Sequence, residues 1–206
     1  MKIVFVLDKS GSMSGLEKDV IGGFNSFISE QKKLKDKARV TTVLFDTQYK
    51  ILHDNVDLHK MEPITPKQYY TDGGTALLDA LGKTIRSVEA KCEKNEKVLF
   101  IINTDGEENS SHEFNNQQIK DMVTHNEHMH DWKFIFLGAN IDSFSTGGNL
   151  GITYNFNYQN TSKGIHHLYA AVSDTTRTWR NTSGQTVDTT SLTNLDDSNV
   201  KQETTP

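Results

Sequence analysis

Three short polar segments concentrate the kind of oxygen atoms that suit a hard cation. The first is Asp8-Lys9-Ser10-Gly11-Ser12, an Asp-x-Ser-x-Ser pattern. The second is Gly73-Gly74-Thr75, and the third is Thr104-Asp105-Gly106. Together they offer two carboxylates and three hydroxyls. Mg²⁺ takes oxygen ligands in near-octahedral geometry and keeps several waters. Ser10, Ser12 and Thr75 present neutral oxygens for direct contact, while Asp8 and Asp105 can hold coordinated waters and the serine hydroxyls. With few direct carboxylates such an ion stays electrophilic, and an open position would attract an acidic oxygen from outside. Gly11, Gly73, Gly74 and Gly106 let the backbone turn closely around the ion. Any one loop alone has a plainer reading, because Asp8 or Ser10 could cap a helix and Asp105 could shape a turn. The set of three carries the inference.

These segments sit at element boundaries. Ile3-Val4-Phe5-Val6-Leu7 is a continuous β-branched and aromatic run, expected of a strand covered on both faces. Ser14-Gly15-Leu16-Glu17 has the spacing of a capping box, and an apolar periodicity predicts a helix over 15–35. Val40 to Phe45 reads as a second strand and 49–54 as a third, forming a hairpin with it. The glycine-rich loop at Thr75 feeds a helix carrying Leu77, Leu78, Leu81, Ile85 and Val88. Val98 to Ile102 is another buried strand, ending in the acidic segment from Asn103 to Asn109. A helix at 116–126, strands at 132–137 and 152–156, and a helix at 163–179 complete the series. Alternation of this kind implies a mostly parallel sheet with helices on both faces, a Rossmann-like three-layer αβα sandwich with one antiparallel edge strand. Ligands bind such sheets beyond the carboxyl ends of the strands. From 181 to 206 the chain is mostly Thr, Ser, Asn, Asp and Gln, and reads as a disordered tail after a domain spanning 1–180.

Asp8-Lys-Ser-Gly-Ser-Met, Gly-Gly-Thr75 and Thr-Asp105-Gly, in that order, resemble the metal ion-dependent adhesion site of von Willebrand factor A domains. The resemblance extends through the β-α order over about residues 1–180. It implies direct ligation of Mg²⁺ or Mn²⁺ by Ser10, Ser12 and Thr75, with Asp8 and Asp105 acting mostly through water. It also implies a protein partner that supplies a Glu or Asp carboxylate, met by a rim of Lys9, Met13, Asp72, Gly73, Gly74, Gly106 and Glu107. Short members without a signal resemble intracellular bacterial or phage proteins with assembly or regulatory roles. The rival expectation is a metal-dependent hydrolase, a nuclease or phosphatase, using the same acidic loops. Against it stand the small number of carboxylates and the lack of a nucleophile elbow or phosphate-cradling loop.

Composition narrows the field further. A net charge of -5 and no dense Lys/Arg cluster argue against a nucleic-acid partner. Lys32, Lys33, Lys35 and Lys37 are better read as cations at a helix end. The single cysteine, Cys92, suits a reducing compartment, and no apolar run is long enough to span a bilayer. A cytoplasmic binding module with no catalytic turnover is the resulting expectation. His125, His128 and His130 have spacing that could bind zinc, but with no further ligand nearby they read as a solvated helix end.

Overall fold

β1 (Lys2–Asp8) is buried along its whole length, so it must be covered on both faces. Its alternating side chains divide between two apolar clusters. Ile3, Phe5 and Leu7 enter one, and Val4 and Val6 the other. The computed structural model describes residues 1–139, 142–182 and 186–197. Within them the other strands are β2 (Arg39–Phe45), β3 (Tyr49–Asp57), β4 (Val98–Thr104), β5 (Trp132–Gly138) and β6 (Tyr154–Asn157). The sheet order is β3-β2-β1-β4-β5-β6. All neighbours are parallel except β2 and β3, which form the antiparallel edge hairpin.

The first apolar cluster lies under α1 (Glu17–Lys32), α5 (Ser162–Asn181) and α6 (Thr190–Asp197). The second lies under α2 (Leu77–Glu89) and α3 (Asn116–Met129). The result is the three-layer, Rossmann-like sandwich expected from the alternation of elements. From β1 the chain winds outward through β2 to β3; after β4 it winds the opposite way through β5 to β6. The order therefore reverses between β1 and β4, and the loops leaving their carboxyl ends diverge to open a crevice. Asp8 ends β1, and Asp105 directly follows β4.

Several local expectations are corrected. α1 begins at Glu17 and makes no side-chain cap at its start. The Ser14 capping box does not form. Glu17 instead accepts from the Gly15 N–H at 2.9 Å and from the Thr71 hydroxyl at 2.8 Å, so its carboxylate ties the helix start to the second loop. The glycine-containing stretch after β5 holds a short helix, α4 (Ser143–Asn149), capped by Asp142. The largest correction concerns the tail. Residues 186–197 include α6, and Val187, Leu192 and Leu195 are buried in the cluster under α1 and α5. Three well-spaced apolar side chains suffice to dock a polar segment that composition alone reads as unfoldable. The expected disorder of 183–185 and 198–206 lies outside the described residues.

Leu192→Ala is therefore expected to destabilise the protein by about 2 kcal/mol or more, a drop in Tm of several degrees. An unchanged thermal melt would place α6 off the core.

Candidate metal centre

At the crevice the three polar loops meet. Asp8 Oδ1 accepts the Ser10 N–H at 2.7 Å, and Asp8 Oδ2 accepts the Thr104 hydroxyl at 2.5 Å. Ser12 Oγ donates to Asp105 Oδ1 at 2.5 Å and lies 3.0 Å from Ser10 Oγ. A hydroxyl has one hydrogen. As Ser12 gives its hydrogen to Asp105, Ser10 must be the donor in the contact between the two serines. Gly106 shows where these oxygens point. A Cβ placed on it would lie 2.8 Å from Thr75 Oγ1, 3.3 Å from Ser12 Oγ and 3.8 Å from Ser10 Oγ. The three hydroxyls thus surround one small space, left open because residue 106 has no side chain.

The loops are tied to one another by backbone. Gly11 N–H donates to Gly73 O at 3.0 Å, and Asp72 N–H to Lys9 O at 2.9 Å. Asn109 N–H reaches Thr75 O at 3.0 Å, while the Thr75 N–H is taken by Asn109 Oδ1 at 2.9 Å. The segment after Asp105 is pinned over the start of α2. Glu108 accepts from Leu78 N–H and from the Ser110 and Ser111 N–H groups. Asp79 accepts from the N–H groups of His112, Glu113 and Phe114. Burial alone would push the Asp79 carboxyl up, but these three donors hold it below its ordinary range.

Asp8 has the opposite balance. Burial raises its carboxyl from 3.8 to about 6, against the lowering effect of Ser10 and Thr104, and the charge of Asp105 adds to the rise. Two buried carboxylates, the buried Ser10 and Thr75 hydroxyls and the exposed Ser12 hydroxyl form an all-oxygen donor set. Ser10, Ser12, Thr75, Asp8 and Asp105 therefore fit a small, hard divalent cation. Among the described residues no group of three His, Cys, Asp or Glu side chains could share an ion. This includes His125, His128 and His130; the hydroxyl-rich crevice is a different kind of donor set.

The expected rim needs two corrections. Lys9 is 5% exposed and turned inward, paired with buried Asp46 beneath the ring of Tyr70, whose centroid lies 4.9 Å from Nζ. Met13 is 1% exposed and belongs to the cluster under α1. Neither side chain can meet a partner. Asp72, Gly73 and Glu107 are exposed, and Gly74 and Gly106 are half-buried. Tyr70, 52% exposed, joins this surface.

Sequence reasoning gave Thr104 no role of its own and missed Tyr69 and Asn160. Thr104 holds Asp8, the Tyr69 hydroxyl donates to Asp8 O at 2.7 Å, and Asn160 Nδ2 donates to Asp105 Oδ2 at 2.7 Å. No local pattern marks Asn160, which lies 55 residues beyond its partner.

The open α/β sheet, with its strand order reversing beside a cradle of hydroxyls and carboxylates, defines a class of domain. The chain belongs to the von Willebrand factor type A domain family, whose model matches residues 2–144. Among solved structures it is similar to a von Willebrand factor type A protein from Catenulispora acidiphila. That match has 14% identity and a TM-score of 0.62, covering 84% of this chain and 42% of the other. The vWF domain of the type V pili tip protein Mfa5 from Porphyromonas gingivalis matches with 11% identity and a TM-score of 0.65, covering 89% and 97%. The ArnB paralog VWA2 from Sulfolobus acidocaldarius matches with 17% identity and a TM-score of 0.56, covering 85% and 44%. This chain thus spans less than half the length of the first and third of these. No curated protein sequence matches it.

The buried charge of Asp8 generates a sign-specific prediction. Its carboxyl is raised on folding, so its ionisation weakens the metal-free fold as pH rises from about 4 to 6, and the loss is complete above that range. In EDTA at pH 7.5, Asp8→Asn is expected to be more stable than wild type by up to about 3 kcal/mol, from roughly two pH units at about 1.4 kcal/mol each. The amide can accept from Ser10 N–H and donate to Thr104, whose hydroxyl also lies 3.1 Å from Gly106 O and can donate there. The advantage should shrink toward zero near pH 4 in thermal melts. A variant that melts at or below wild type at pH 7.5 would contradict this account.

Proposed function

We propose that this chain is a divalent-metal-dependent protein-binding module that recognises an acidic side chain of a partner. The observation that carries the reading is the convergence of Ser10, Ser12 and Thr75 hydroxyls on one space flanked by Asp8 and Asp105. Mg²⁺ or Mn²⁺ held there supplies an electrophilic position for a Glu or Asp carboxylate. Ser12 and Ser10 give their hydrogens away from the cradle, leaving oxygen lone pairs for the ion. Asp8 and Asp105 already accept two hydrogen bonds each, which favours an outer role that neutralises charge without quenching the ion's electrophilicity.

The surface around the cradle, with Asp72, Glu107 and exposed Tyr70, would meet the partner. Its carboxylates disfavour an acidic ligand in the absence of metal, so binding depends on the ion. This donor set favours binding over turnover, since a two-metal hydrolytic site needs more carboxylates free to bridge. Among the described residues no helix is long and apolar enough to cross a membrane. The single cysteine, which excludes an internal disulfide, fits a reducing compartment and with it a cytoplasmic assembly or regulatory role.

Thermal unfolding in EDTA and in millimolar Mg²⁺ or Mn²⁺ tests the reading. A ligand binding only the native state adds about 2.7 kcal/mol at a hundred times its Kd. Wild type is expected to gain several degrees in Tm with metal, and Ser10→Ala/Ser12→Ala to gain none. Equal melts with and without metal, together with metal-indifferent partner capture, would overturn the proposal.

A further inference from the structure

Asp105 has both oxygens engaged. Ser12 donates to Oδ1, and Asn160, in the loop between β6 and α5, donates to Oδ2. The orientation of the Asn160 amide is fixed by its partner, because an ionised carboxylate only accepts and so must face the NH₂ end. Among the described residues the other end of that amide, Oδ1, is buried without a hydrogen-bond partner. Asn160 is thus held for what it donates, at the cost of an unsatisfied carbonyl oxygen.

The consequence reaches the cradle through hydrogen direction. Asp105 can receive the Ser12 hydrogen only if its carboxylate plane is held with Oδ1 toward Ser12. A carboxylate gripped at one oxygen turns readily about its last torsion; one gripped at both does not. With the Ser12 hydrogen committed to Asp105, Ser10 becomes the donor to Ser12. The chain of donors therefore runs from Ser10 to Ser12 to Asp105, anchored from the far side by Asn160. If Asp105 turns away, Ser12 is free to direct its hydrogen into the cradle, where a cation would be repelled.

We infer that Asn160 is a positioning residue of the metal centre, orienting Asp105 so that the Ser12 and Ser10 oxygens face the ion. The inference rests on the metal-dependent reading above and adds a residue outside its three loops. Groups that orient ligands from behind typically change metal affinity by about 10–100-fold when removed.

The test is a Mn²⁺ titration of the full chain, read by the loss of the free-ion EPR signal, for wild type, Asn160→Leu, Asp105→Asn and the double variant. Asn160→Leu is expected to bind Mn²⁺ about 10–100-fold more weakly. In the Asp105→Asn background the same change should cost no more than about twofold, because its route to the cradle is already cut. Melting in EDTA separates a folding effect, which would lower Tm in both backgrounds alike. Equal Mn²⁺ affinity of wild type and Asn160→Leu would overturn the inference while leaving the metal reading standing. So would a loss of the same size in both backgrounds. Absence of Mn²⁺ binding by wild type would remove both.

Discussion

Two carboxylates buried at the end of a parallel sheet are an electrostatic problem, and much of the architecture around β1 and β4 is arranged about it. Asp8 and Asp105 are 1% and 4% exposed, and the charge of Asp105 adds to the cost of ionising Asp8. Water cannot solvate them there, so hydrogen bonds must. Thr104, Ser10, Ser12 and Asn160 supply donors, yet Asp8 remains well above the ordinary carboxyl range. The protein thus keeps a local excess of negative charge that its own groups do not neutralise. Such a site is costly to the fold and would favour the cation proposed for it, a separation often found where function opposes stability.

The sheet order makes this concentration possible. Since the strand sequence reverses between β1 and β4, no crossover covers their carboxyl ends. The covering comes from loops, and these are fixed by carboxylates that lie outside the cradle. Asp79 and Glu108 gather the N–H groups of 110–114 and of Leu78, which locks the third loop over the start of α2. Asp46, paired with Lys9, stands between the first loop and the β2–β3 turn, while its backbone O accepts from Ala76 N–H at 3.0 Å. The chain therefore uses one set of acids to hold the loops rigid and a second to shape the cradle. Sequence shows all of them as the same kind of residue. Only the partners each meets in the folded chain tell them apart.

That distinction marks how far the sequence could be read. The strands were legible because β1 and β4 contain continuous apolar runs and β5 is broken only by Lys133, and the helices of both layers because their apolar positions recur with helical spacing. The five central oxygens were legible because they cluster at strand and helix boundaries. Side-chain direction was not. Lys9 sits within the first motif, and its type suggests an exposed rim, yet its long stem carries the charge inward to Asp46. Met13 follows the last motif residue and turns down into the core. Composition also misjudged 186–197, where a few apolar residues dock α6 despite polar neighbours. Asn160 was invisible because its relation to Asp105 exists only after β6 and α5 are placed.

The orientation of hydroxyl hydrogens is the subtlest layer of this design. A serine near a cation is useful only if its hydrogen points elsewhere, and a lone serine hydroxyl in a crevice would turn either way. Here the choice is passed along a line of groups, each with a single hydrogen to give, ending at a carboxylate that can only accept. Asp105 therefore acts on the cradle even without touching what lies in it, by settling where Ser12 and Ser10 direct their lone pairs. On the proposed metal-dependent reading, the same logic accounts for a site with only two carboxylates. Further acids would bind a cation more tightly but leave it less able to attract an oxygen from a partner, whereas oriented hydroxyls hold it with little loss of positive charge. Affinity for the ion and affinity of the ion for its ligand pull against each other, and the ratio of hydroxyls to carboxylates sets the balance.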